Sequence, residues 1–189
     1  MQEGREFISD YEDNKEEIER WFSIKCEQKY RQFAKLLESR GEETTWINVR
    51  DLYRYDKRLI FNCFKYISFL EEYLRASIVR NSEDKEGKYA ELQEAYLSDL
   101  IGPIIELYEK GKFRFDGGNL KKTLKKVKDL RNCISHNKIV LEKGDYASEL
   151  EALRDLLPPE HSDSFVKTIK ESRKNLVVSQ KWTVTFIDP

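Results

Sequence analysis

Residues 51–80 read DLYRYDKRLIFNCFKYISFLEEYLRASIVR. Leu52, Leu59, Cys63, Ile67, Leu70, Leu74 and Ile78 recur at the spacing of one helix face. Phe61, Phe64, Tyr66 and Phe69 widen that stripe, and no Gly or Pro interrupts it. A helix of about 30 residues is about 45 Å long, enough to organise a domain around itself. The reading of the chain as helical starts from this segment.

Composition agrees with it. The chain has 189 residues, of which 39% are hydrophobic and 37% charged, with only 8 Gly and 4 Pro. That balance favours helices with solvated faces over a turn-rich sandwich or barrel. The expected fold is all-α, a bundle of about five to six helices over residues 1–176, followed by an extended segment at 177–189.

Outward from the long helix, the first helix is expected over 13–38. Ile18, Phe22, Cys26, Tyr30, Phe33 and Leu37 step by three or four. Gly41 ends it, and Thr45-Trp46-Ile47 reads as an extended connection. A helical region over 86–110 is interrupted by Gly102-Pro103, because proline removes a donor and crowds the preceding turn. Asn119 is placed to cap a helix over 119–135. Two shorter helices follow over 145–156 and 162–174, with His161 as an exposed loop residue between them. In 177–187, Trp182, Val184 and Phe186 alternate with Thr183 and Thr185, the period of a β-strand. Residues 45–49, 138–142 or a second subunit are the available partners for that strand.

Several function classes are disfavoured by what the sequence contains. No stretch of about 18 apolar residues marks a membrane span and no apolar signal core opens the chain, so a cytoplasmic protein with no membrane contact is expected. Cys26, Cys63 and Cys133 are too far apart for a metal knuckle or a disulfide framework. With two histidines besides, neither a metal site nor a cofactor is expected. Lys plus Arg (34) and Asp plus Glu (35) nearly cancel, so any polyanion-binding surface depends on uneven charge distribution.

That unevenness lies in NLKKTLKKVKDLRNCISHNK, residues 119–138. Lys121, Lys122, Lys125, Lys126, Lys128, Arg131 and Lys138 are seven bases against one acid, Asp129, a local charge of +6. The run is either a solvated helix face or a phosphate-binding surface. Leu120, Leu124, Val127 and Ile134 mark the buried stripe of this helix, and Arg131 falls on it. An arginine there is either paired internally, with Glu71 or Glu72 in reach, or faces a cleft that holds an anion. His136 follows near the helix end, where the macrodipole favours a cation.

Arg131-Asn132-Cys133-Ile134-Ser135-His136 resembles the R-x4-H motif of the HEPN superfamily. Leu70-Glu71-Glu72-Tyr73-Leu74-Arg75 is similar to the E-x-x-L-R stretch of its Abi-like branch, and Asn137 matches the polar residue that often follows the His. The similarity covers residues 50–140. It implies a metal-independent ribonuclease of toxin-antitoxin or phage-defence type, in which the RNA 2′-OH attacks its own phosphate to leave a 2′,3′-cyclic phosphate. By this resemblance His136 exchanges the proton, Arg131 binds the non-bridging oxygens, and Asn132 orients His136 or binds the phosphate. The six lysines Lys121, Lys122, Lys125, Lys126, Lys128 and Lys138 would hold RNA, with Glu71, Glu72, Arg75 and Asn137 in support. The family pairs two motif helices, so a homodimer through residues 131–137 is expected, with Phe61 and Phe64 available to the contact and an antitoxin or regulatory partner to restrain it. The alternatives are a non-catalytic HEPN module that binds RNA, nucleotide or protein, and a helical scaffold with no site. Whichever reading holds, Glu71, Glu72 and Arg75 are read as a within-helix ion-pair set rather than a catalytic group.

Overall fold

The structure is a computed structural model that describes residues 6–174 together with Leu176 and Trp182. Its described residues form eight α-helices and no strand. These are α1 (Lys15–Phe22), α2 (Glu27–Glu38), α3 (Trp46–Arg80), α4 (Lys85–Leu92), α5 (Leu97–Glu109), α6 (Leu120–Ser135), α7 (Tyr146–Leu156) and α8 (Pro159–Ser172). The protein is all-α, as composition and periodicity predict. The chain divides into two compact units, one built from residues up to Leu59 and from Lys170 onward, the other from Ile60–Ile169.

The first unit corrects two expectations. The helix predicted over 13–38 breaks at residues 23–26, where Cys26 leaves the stripe and becomes exposed. In an unbroken helix residues 22 and 30 stand about 12 Å apart along the axis. The break instead brings the Phe22 and Tyr30 rings to 5.3 Å and Trp21 to 6.3 Å from Trp46. Aromatic burial outweighs the few helical hydrogen bonds lost at the bend. Thr45-Trp46-Ile47 is not extended: Trp46 opens α3, with the Val49 amide donating to the Thr45 carbonyl at 3.0 Å. The Trp46 amide is met by the Asp10 carboxylate at 2.6 Å, and buried Val49 and Trp46 carry the stripe back nearly two turns from Leu52. Only Trp182 of the predicted strand at 177–187 is described, buried beneath the Arg40 guanidinium at 3.9 Å; the rest of that segment lies outside the described residues.

The second unit holds the motif. Cys63, Ile67, Leu70, Leu74 and Ile78 of α3 are buried as predicted, whereas Phe61 and Phe64 lie exposed rather than widening the stripe. The region 86–110 is broken at residues 93–96 and not at Gly102-Pro103, which sit inside α5. Proline there forfeits one hydrogen bond, while buried Leu97, Leu100 and Ile104 hold the helix on both sides of it. α8 begins at Pro159, so His161 belongs to its first turn and packs against Phe69, ring centroids 3.8 Å apart. Residues 138–142 form no strand; Ile139, Val140 and Leu141 are buried in the connection to α7. α6 packs against α5 and α7. No helix among the described residues is long and apolar enough to cross a membrane.

Candidate functional site

α6 starts as its sequence predicts, with the Asn119 side chain accepting from the Lys122 amide at 2.9 Å. Leu120, Leu124, Val127, Leu130, Cys133 and Ile134 form its buried side. The helix ends at His136. The Asn137 amide donates to the Ile134 carbonyl and the Lys138 amide to the Cys133 carbonyl, both at 3.0 Å. Asn137 adopts a left-handed φ of 50°, so the motif helix closes in a Schellman turn. That turn leaves the His136 ring exposed, with no hydrogen bond or ion pair among the described residues.

Arg131 lies half-buried on the stripe. Its Nε stands 3.5 Å from Glu71 Oε1, and its guanidinium lies 5.4 Å from the centre of the Tyr96 ring. Of the two partners that the sequence offers, Glu71 is the one used; Glu72 is exposed. No hydrogen bond ties the Arg131 guanidinium among the described residues, and Glu71 Oε1 is buried without one. Among the described residues Arg75 belongs to no within-helix ion pair. Its Nε donates to the Leu92 carbonyl at 2.8 Å and a terminal nitrogen to the Ala95 carbonyl at 3.1 Å, tying α3 to the α4–α5 connection.

The basic residues keep their outward placement. Lys121, Lys122, Lys125 and Lys138 are exposed, and Lys126 and Lys128 half-buried. Cys133 is buried, its thiol directed at the Ile139 carbonyl at 3.8 Å, which removes it from the surface where His136 stands.

Asn132 is exposed, its carboxamide free of hydrogen bonds among the described residues, and it lines a cleft of about 520 Å³ beside α7. Lys138, Ile139, Lys143 and Glu149 line the same cleft. Glu149 is buried on the apolar side of α7, between Tyr146 and Leu153. The Lys143 ammonium donates to Glu149 Oε1, while Oε2 is buried with no hydrogen-bond partner. Burial pushes the Glu149 carboxyl up from its ordinary value, against the pull of Lys143.

Sequence reading missed Tyr96 and Glu149. Nothing local distinguishes Tyr96, whose ring is 63% exposed beside Arg131. Glu149 did carry a signal, the same one that singled out Arg131: a charge at an apolar-stripe position.

Comparison with protein-family models, with curated proteins and with solved structures finds no match for the chain.

Proposed function

We propose that this protein is a HEPN-like, metal-independent endoribonuclease acting in a toxin-antitoxin or phage-defence setting. The observation that carries the reading is a half-buried Arg131, backed by Glu71 at 3.5 Å, five residues before an exposed imidazole at the end of a lysine-bearing helix. RNA lies along Lys121, Lys122, Lys125 and Lys138, whose ammonium groups offset its phosphates. Arg131 meets the non-bridging oxygens as charge builds on phosphorus, and the Glu71 carboxylate holds its side chain in place. His136 exchanges a proton with the reacting oxygens, the work for which imidazole is suited near neutral pH. The 2′-oxygen–phosphorus bond forms as the bond to the 5′-oxygen breaks, leaving a 2′,3′-cyclic phosphate and a 5′-hydroxyl. One Arg and one His make a sparse site, so the reading includes a homodimer that faces two α6 C-termini across one cleft.

The test is cleavage of single-stranded RNA in chelator by the purified chain. Cyclic-phosphate product should fall about 100-fold or more in both His136→Ala and Arg131→Ala. Cleavage that persists in both variants overturns the assignment.

The Arg131–Glu71 ion pair also favours a second reading, a non-catalytic HEPN module that binds RNA, nucleotide or protein on the same face. No cleavage, with RNA binding that weakens in Lys125→Glu and loses salt dependence, selects it over the nuclease.

A further inference from the structure

Tyr96 caps the start of α5 with its ring exposed, yet its backbone is held from several sides. Its amide donates to the Asp99 carboxylate at 2.9 Å, and the Asp99 amide donates back to the Tyr96 carbonyl at 2.9 Å. One residue earlier, the Ala95 carbonyl accepts from Arg75 of α3, which also holds the Leu92 carbonyl. Glu71, four residues before Arg75 on the same helix, faces Arg131. One face of α3 therefore secures both partners of a pair in which the Arg131 guanidinium lies over the Tyr96 ring, 5.4 Å from its centre. An exposed ring adds little burial to the fold, so the core does not account for its being held there. What such a ring offers is a π-face, on which any nucleobase can stack. Arg131 donates no hydrogen bond among the described residues, so its N–H groups are open to a phosphate. The two groups are close enough for one nucleotide to touch both.

Two acids stand near the ring, and both are engaged. Asp99 takes the Tyr96 amide and the Ser98 hydroxyl, and Glu71 takes Arg131. A base carries no charge, so these carboxylates turn the phosphate backbone away from the ring without excluding the base. We infer that Tyr96 is a stacking platform for an unpaired base of the RNA, next to the phosphate that Arg131 meets. In an A-form duplex each base is already stacked between its neighbours, so the platform acts on single strands and not on double-stranded RNA. The substrate class rests on the ribonuclease reading, but the test does not require cleavage.

Affinity is measured by fluorescence anisotropy in chelator at fixed salt, on the full chain carrying His136→Ala so that no strand is cut. Three labelled probes of equal length are compared: an oligouridylate, the same sugar-phosphate strand without bases, and an RNA duplex. Tyr96→Leu, which keeps apolar bulk but has no π-face, should weaken the oligouridylate about tenfold or more, the effect of losing one stacked base. The baseless strand and the duplex should bind as before. Tyr96→Phe and Tyr96→Trp should hold the oligouridylate as the parent does, and Tyr96→Ala serves if Tyr96→Leu does not fold. An equal loss on strands with and without bases would mean that the ring only positions Arg131, and overturns the inference. An oligouridylate affinity unchanged in Tyr96→Leu, or no binding of RNA at all, overturns it as well. Cleavage by the wild type with no base-dependent loss at Tyr96 sinks this inference and spares the nuclease; a base-dependent loss in a chain that cleaves no RNA does the reverse.

Discussion

Arg131 Nε and Glu71 Oε1 stand 3.5 Å apart, joining α6 to α3 with side chains only 28% and 19% exposed. Neither group is in open water, so the pair lies between the nearly neutral surface ion pair and the strongly coupled buried one. Glu71→Ala should destabilise the chain by about 1–3 kcal/mol in urea, because a half-buried guanidinium loses its counter-charge. In the nuclease reading the same variant lowers kcat more than it raises KM, since the lysines still hold RNA. A melt and a turnover both unchanged would mean that the pair neither supports the fold nor positions Arg131.

Arg75 satisfies two carbonyls at once, those of Leu92 and Ala95. Arg75→Ala takes the charged donor from both, although the Leu92 carbonyl keeps the Ala95 amide at 3.1 Å, at a cost of about 1–3 kcal/mol. Amide exchange in residues 93–97 should accelerate ahead of the core of α6. Arg75→Lys should recover little, because a single ammonium does not reproduce the fork that spans both oxygens.

Asn137 carries the left-handed turn that ends α6, at φ 50°. Asn137→Ala should cost about 1 kcal/mol, because alanine keeps the Cβ but lacks the short polar side chain that lets Asn adopt that conformation, whereas Asn137→Gly, with no Cβ, should melt close to wild type. Equal losses in the two variants would show that the Asn side chain, and not the backbone angle, sets the turn.

Burial holds the Glu149 carboxyl above its ordinary value of 4.5; Lys143 opposes the shift, and the charges of Asp129 and Asp145 add to it. A folded-state pKa above the unfolded one means that the native chain binds the extra proton between the two values. The contribution of Glu149 is therefore most favourable below pH 4.5 and declines as pH rises through the folded value. Glu149→Gln removes this titration, so its stability relative to wild type should improve as pH rises from 4 to 7. A difference independent of pH would show that Glu149 titrates alike in both states.

Much of the fold was legible because its signals are local. The apolar stripe of α3 from Leu52 to Ile78, the Asn119 cap and the extents of α6 and α7 depend on residues within a few turns of one another. Arg131 was legible for the same reason, as a charge on an apolar stripe, and Glu71 or Glu72 as its counterpart. Which of the two glutamates serves was not, because that depends on how α3 and α6 cross.

The amino-acid sequence alone determined the all-helical class, the buried face of each main helix, and the basic run that ends in Arg131 and His136. These follow from side-chain period and local charge, which any helix displays whatever it packs against. Tertiary structure decided the bend at residues 23–26, the helical start at Trp46, the continuity of α5 through Pro103 and the cleft around Glu149. Each sets a local backbone preference or a buried charge against burial contributed by residues far away in the chain. Only the folded chain brings those distant groups close enough to decide the outcome.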